Sequence, residues 1–253
     1  MRWGASPRRR GRRRRPCRSS TTPASTSPFA CLPLPDVDGA LLELSYALDE
    51  LNLDGVILFS NAGGLYLGDR RLWPLSEELQ RRPAVVFVHP NASPDPSAHR
   101  LGLPDSLIDF TADTTRAVAQ LHYNNTLART GDVTYIFSHA GGTVPYLAGR
   151  FEIVDDMGVV PGGEDRASAA ETFRHLYFDT ALSWSDPVLT MLRSVVGLNH
   201  VVFGSDYPYL RRDLAVGCRR HIETSAVLTD SERASILGLT AADLIPRLAS
   251  LRS

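Results

Sequence analysis

Six short apolar runs recur along the chain, separated by stretches with helical period: Phe29–Leu34, Gly55–Ser60, Ala84–His89, Val133–His139, Leu176–Thr180 and Val201–Asp206. Runs apolar on both sides of the pleat suit strands buried on two faces. Their ends lie 26, 29, 50, 41 and 26 residues apart, which leaves room for a crossover helix each time. That spacing restricts the chain to right-handed βαβ units and a parallel sheet. A doubly wound sheet and a (β/α)8 barrel both satisfy it. No G-x-G-x-x-G follows the first run, which weakens the dinucleotide-binding form, while a closed barrel needs eight strands and only six are visible. Asp36–Leu51, Thr114–Asn124, Asp186–Val196, 230–237 and 241–250 read as helices, with Thr229 and Glu232 spaced for a capping box.

Charge narrows the class of partner. Nine of the 27 basic residues fall in residues 1–35, which hold no acid, so the remainder sets 18 basic groups against all 28 acids. An acidic body of formal charge −10 is expected to avoid nucleic acid and anionic membrane; the partner is expected to be a small molecule. Every basic residue is arginine, and the absence of lysine excludes Schiff-base, P-loop and carbamylated-lysine chemistry. Residues 1–28, rich in arginine, serine, threonine and proline, are expected to form a disordered tail before one domain over 29–253. No stretch approaches the roughly 18 apolar residues of a membrane helix. Three widely spaced cysteines (Cys17, Cys31, Cys218) form neither a disulfide framework nor a zinc ribbon, so a reduced, cytoplasmic setting is expected.

Polar residues stand where the apolar runs stop: His89 in VFVHP, His139 in FSHAGG, Asp179 in YFDT and Asp206 in FGSDYP. In a barrel these positions face the C-terminal mouth, where active sites are built. Imidazoles and a carboxylate converging there match a mononuclear catalytic metal site. Singly, each could instead cap a strand or bind loop amides. The glycines after His139 permit close approach of a ligand, or equally serve the turn.

VFVHP, DTTRAV, FSHAGGTVPYLAGR, LYFDTAL and VVFGSDYPY, in this order and spacing, resemble the amidohydrolase-related decarboxylases. The family includes aminocarboxymuconate semialdehyde decarboxylase and 6-methylsalicylate decarboxylase-like members, which share the SNAGG–YLGD wording. The resemblance runs from about Phe29 to the C-terminus. It implies a (β/α)8 barrel, His89 and Asp206 as ligands of a divalent metal (zinc, or manganese), and His139 as catalytic acid/base. His139 or Asp206 would then handle the proton that replaces carbon dioxide. Arg150, closing PYLAGR, is implied to reach a substrate carboxylate, in some members across a dimer interface, so a homodimer is expected. Arg116 in DTTRAV is a further anion-binding candidate. Asp179 is expected behind the metal or in a turn. His99, His122, His175, His200 and His221 read as ordinary polar residues.

Members of the family open with a strand bearing H-x-H or E-x-H, and this chain has no such pair. Its first run resembles the family's third strand, so a barrel lacking its first two strands is expected, with weak metal affinity. The activity implied is metal-dependent, non-oxidative decarboxylation of a small aromatic or muconate-type acid. A metal-dependent hydrolase of an amide or lactone, and an inactive barrel remnant or wrongly started fragment, are the alternatives.

Overall fold

The computed structural model describes residues 28–82, 84–95, 102–161 and 166–252. Within them lie strands β1 (Phe29–Cys31), β2 (Gly55–Phe59), β3 (Asn61–Ala62), β4 (Leu65–Tyr66), β5 (Val85–His89), β6 (Thr134–Phe137), β7 (Tyr177–Asp179) and β8 (Val201–Val202). The helices are α1 (Val37–Ser45), α2 (Trp73–Arg81), α3 (Asp109–Tyr123), α4 (Thr126–Arg129), α5 (Val144–Met157), α6 (Ala169–Phe173), α7 (Asp186–Val195), α8 (Arg212–Thr224), α9 (Asp230–Ala234) and α10 (Thr240–Leu244).

The six apolar runs form one parallel sheet in the order β1-β2-β5-β6-β7-β8, and β3–β4 is a separate antiparallel hairpin. Sheet order follows chain order, the singly wound arrangement of a (β/α) barrel and not the reversing order of a doubly wound sheet. Phe59 pairs with His89, Val88 with Phe137, and Asp179 with Val202, so the C-terminal ends of neighbouring strands lie side by side. Among the described residues the sheet is open, with β1 and β8 as its edges. This is six-stranded (β/α)-barrel architecture, as expected. The anticipated tail, apart from Pro28, lies outside the described residues.

The unalternating runs are explained by cover on both faces. Val56, Leu58, Val86, Val88, Phe137 and Phe178 point into the main core with Leu44, Leu75, Leu121, Leu189 and Ile222 of the helices. Val85, Ile136 and Val202 point the other way, packed with Phe29, Phe87, Tyr177 and with Ala241 and Leu244 of α10. Alternate residues of one strand thus serve different cores, the period-two rule of the pleat. Asp36 caps α1 by accepting from Gly39 N at 3.0 Å. Among the described residues no helix is long and apolar enough to cross a membrane, and Cys31 and Cys218 are free thiols.

Candidate metal centre

At the C-terminal ends of β5, β6 and β8, one ligand-capable atom each from His89, His139 and Asp206 lies within 4.8 Å of the other two. His139 Nε2 stands 3.9 Å from Asp206 Oδ1, and the two imidazole rings meet edge to face at 5.3 Å. Two imidazoles and a carboxylate are the donor set of catalytic zinc. Donors at about 2.0–2.2 Å from a common ion stand about 3.3–3.6 Å apart; the His139–Asp206 pair, at 3.9 Å, is within a few tenths of an ångström of that span, and all three atoms lie within 4.8 Å of one another. His139 therefore occupies a ligand-capable position beside the two residues expected to bind metal.

The local backbone is unusual at two of these residues. After the extended Ser138, His139 and Ala140 take φ of 56° and 55°, and Asp206 takes 57°. A non-glycine residue in the left-handed region costs about 1–3 kcal/mol and persists only where its surroundings hold it. Here Asp179 Oδ1 accepts from His139 N at 2.7 Å and from Ala181 N at 3.0 Å. Thr180 Oγ1 donates to Gly204 O and accepts from Gly204 N, both at 3.0 Å, which ties the end of β7 to the segment leading into Asp206. Gly141 lies against the Phe178 ring and Gly142 against the Thr111 carbonyl. The glycines' close approach is thus to protein, and they serve the turn.

Electrostatics follow from burial. Burial lowers the His139 pKa to about 4, helped by the neighbouring His89 and opposed by Asp206. The ring is neutral at pH 7 and has a lone pair to offer. Asp179, buried, is raised to about 7, against the pull of its two backbone N–H partners. His89 Nδ1 lies 2.8 Å from Pro90 O. A carbonyl only accepts, so Nδ1 carries the proton and Nε2 the lone pair. Phe59 and Phe110 meet the His89 ring edge to face at centroid distances of 6.4 and 6.0 Å, giving the centre an aromatic wall.

The remaining candidates lie outside this trio. Arg150 is exposed on α5. Arg116 is exposed on α3 and hydrogen-bonds Tyr66 of β4. His122 pairs with Asp155, His221 with Asp186, and His200 stacks on Tyr177; His175 is exposed, and His99 lies outside the described residues. Two features escaped the sequence reading. Arg212 and Arg219 line an open cleft of about 430 Å³ with Phe203, Ser205 and Tyr207, flanking Asp206. Asp113, fully buried, accepts from Ser60, Asn61 and Tyr66 at the mouth of the sheet; it opens the DTTRAV stretch in which the arginine alone drew notice.

Comparison with known proteins agrees with this architecture. The family model described as Amidohydrolase matches residues 20–247. A 6-methylsalicylic acid decarboxylase (acuB) of Aspergillus aculeatus is 37% identical over 236 residues, 89% of this chain and 71% of that protein. A 2-amino-3-carboxymuconate-6-semialdehyde decarboxylase of Dictyostelium discoideum is 26% identical, covering 85% of this chain and 59% of its own length. A dihydroxybenzoic acid decarboxylase of Polaromonas, solved with bound manganese and 2-nitroresorcinol, superposes with a TM-score of 0.76 at 21% identity, over 90% of this chain and 70% of that one. Four decarboxylases of Aspergillus and Penicillium at 34–38% identity are each matched over 57–71% of their length. On a match that spans nearly all of the described fold, the chain belongs to the amidohydrolase family.

Proposed function

We propose that the chain is a metal-dependent, non-oxidative decarboxylase of a small aromatic carboxylic acid resembling 6-methylsalicylate. The observation that carries the reading is the convergence of His89, His139 and Asp206 at one end of a parallel sheet, in a chain whose relatives at 34–38% identity are decarboxylases. His89 and Asp206 would hold a divalent ion, zinc or manganese, with His139 beside them as the acid/base. Bound there, the ion would supply a Lewis acid for the substrate's carboxylate or adjacent hydroxyl.

The protein's own groups supply the rest. The reaction breaks the ring–carboxylate bond, releases carbon dioxide and places a proton on the vacated ring carbon. His139, neutral at pH 7, and Asp206, 3.9 Å away, share that proton: one accepts it from solvent or a substrate hydroxyl, and either delivers it. Phe59 and Phe110 line the aromatic wall beside His89 and offer apolar surface to the substrate ring. Arg150 and Arg116 are proposed carboxylate contacts, with Arg212 in the adjoining cleft as a third.

The test is incubation of manganese- or zinc-loaded protein with 6-methylsalicylate. Formation of m-cresol and carbon dioxide is expected, abolished by His139→Ala and by Asp206→Ala. Recovery of intact acid, with cleavage of an ester or lactone instead, would overturn the reading in favour of a hydrolase.

A further inference from the structure

Asp113 lies in α3, on a different element from all three metal-binding candidates, and is fully buried. A buried carboxylate demands donors, and three side chains supply them. Ser60 Oγ and Asn61 Nδ2 donate to Oδ2, the latter at 2.8 Å, and Tyr66 OH donates to Oδ1 at 2.6 Å. Only an acceptor-only group satisfies three donors without presenting one of its own.

Each partner leads towards His89. Ser60 N donates to His89 O at 2.9 Å, while Ser60 Oγ accepts from Asn91 N at 2.9 Å. Asn61 Nδ2 also donates to Ala92 O at 3.2 Å, and Asn91 Nδ2 donates to Asn61 O at 3.3 Å. The Asn91 N–H belongs to the Pro90–Asn91 peptide, whose carbonyl oxygen receives the proton of His89 Nδ1. The planar peptide couples the two groups rigidly. Asp113 turns the Ser60 hydroxyl, the hydroxyl oxygen fixes the peptide, and the peptide sets the His89 tautomer and the direction of its Nε2.

We propose that Asp113 is a positioning residue for the metal centre, acting on His89 through Ser60 and the Pro90–Asn91 peptide. The inference rests on the metal-binding reading above. Partners that orient a ligating histidine typically account for 10–100-fold in metal affinity. Asp113→Asn puts an amide where donors converge, and Ser60→Ala removes the middle link while leaving the carboxylate in place.

Both variants and wild type would be titrated with Mn²⁺, read by electron paramagnetic resonance, and loaded with Co²⁺ for visible spectra, at a temperature where all are folded. Val118→Ala, a buried core truncation on the same helix, controls for loss of stability. The expected result is Mn²⁺ affinity weakened about tenfold or more in Asp113→Asn and Ser60→Ala, with an altered Co²⁺ spectrum and no change in Val118→Ala. Should Asp113→Asn fail to fold, Ser60→Ala alone decides. Wild-type binding that the Asp113 and Ser60 variants match overturns the positioning role while leaving the metal centre intact. Equal weakening in Val118→Ala overturns it too, by showing a general effect of destabilisation. Wild type that takes up no Mn²⁺ or Co²⁺ removes the metal-binding reading, and this inference with it.

Discussion

A methyl group is the smallest probe of the turn that carries His139. Gly142 has φ of 67° and ψ of −123°, and a Cβ there would overlap the Thr111 carbonyl of α3. Gly158 also has positive φ, 60°, but a Cβ there would meet nothing within 4 Å. Gly158→Ala therefore carries only the left-handed penalty, about 1 kcal/mol. Gly142→Ala adds a backbone clash and should cost about 3 kcal/mol in all, with loss of activity as His139 shifts. Urea unfolding of the two variants checks the ranking; equal losses would show that α3 yields. The ligand-capable residues themselves were legible, because each ends an apolar run. Asp179 was visible as a strand-end acid, but not that its carboxylate grips the His139 amide. Asp113 was hidden for a simpler reason: its donors Ser60 and Asn61 lie 53 and 52 residues away, and nothing in a helical DTTRAV reveals which residue faces inward to meet them.

With five residues, α9 depends on its ends. Thr229 Oγ1 accepts from Glu232 N at 3.3 Å, and Glu232 Oε2 accepts from Thr229 N at 2.8 Å, a complete capping box. Arg193 of α7 then grips both oxygens of Glu232 at 2.8 Å and donates to Val227 O. Its guanidinium holds the Glu232 carboxyl down at about 2. Thr229→Ala should lower stability by about 1 kcal/mol, or about 2–4 °C in Tm for a chain of this size. Glu232→Ala should cost more, since it also frees Arg193. Calorimetry that ranks them in the opposite order would show that the link to α7 contributes nothing. This cap could be read from two letters at the right spacing. The β3–β4 hairpin could not, because two-residue strands have no alternation to detect, and neither could the π-turn at 46–50 that closes α1.

Over the whole molecule, acid should act through the buried histidines. Burial lowers the His122 pKa, with Asp155 opposing and Arg166 adding a smaller push in the same direction. The unfolded chain takes up a proton near pH 6.5 while the folded ring does not, so stability is lost as pH falls below 6.5, by at most about 1.4 kcal/mol per pH unit for this one group. His139 acts in the same sense and Asp179 in the opposite one, so the contribution is isolated by difference. The gap between wild type and His122→Gln, measured by denaturant titration on metal-free protein, should change between pH 6.5 and 5 in the direction that disfavours wild type. A constant gap would refute the assignment. The order of the sheet has a consequence for how the molecule is made. Each of its strands docks on the strand that precedes it in the sheet, so a chain leaving the ribosome never waits for a later strand to reach its neighbour. β2 can seat against β1, and β5 against β2, long before Asp206 has been translated. The scaffold can assemble vectorially, and the three groups of the centre arrive in sequence, with the last carboxylate completing it when most of the fold is already in place.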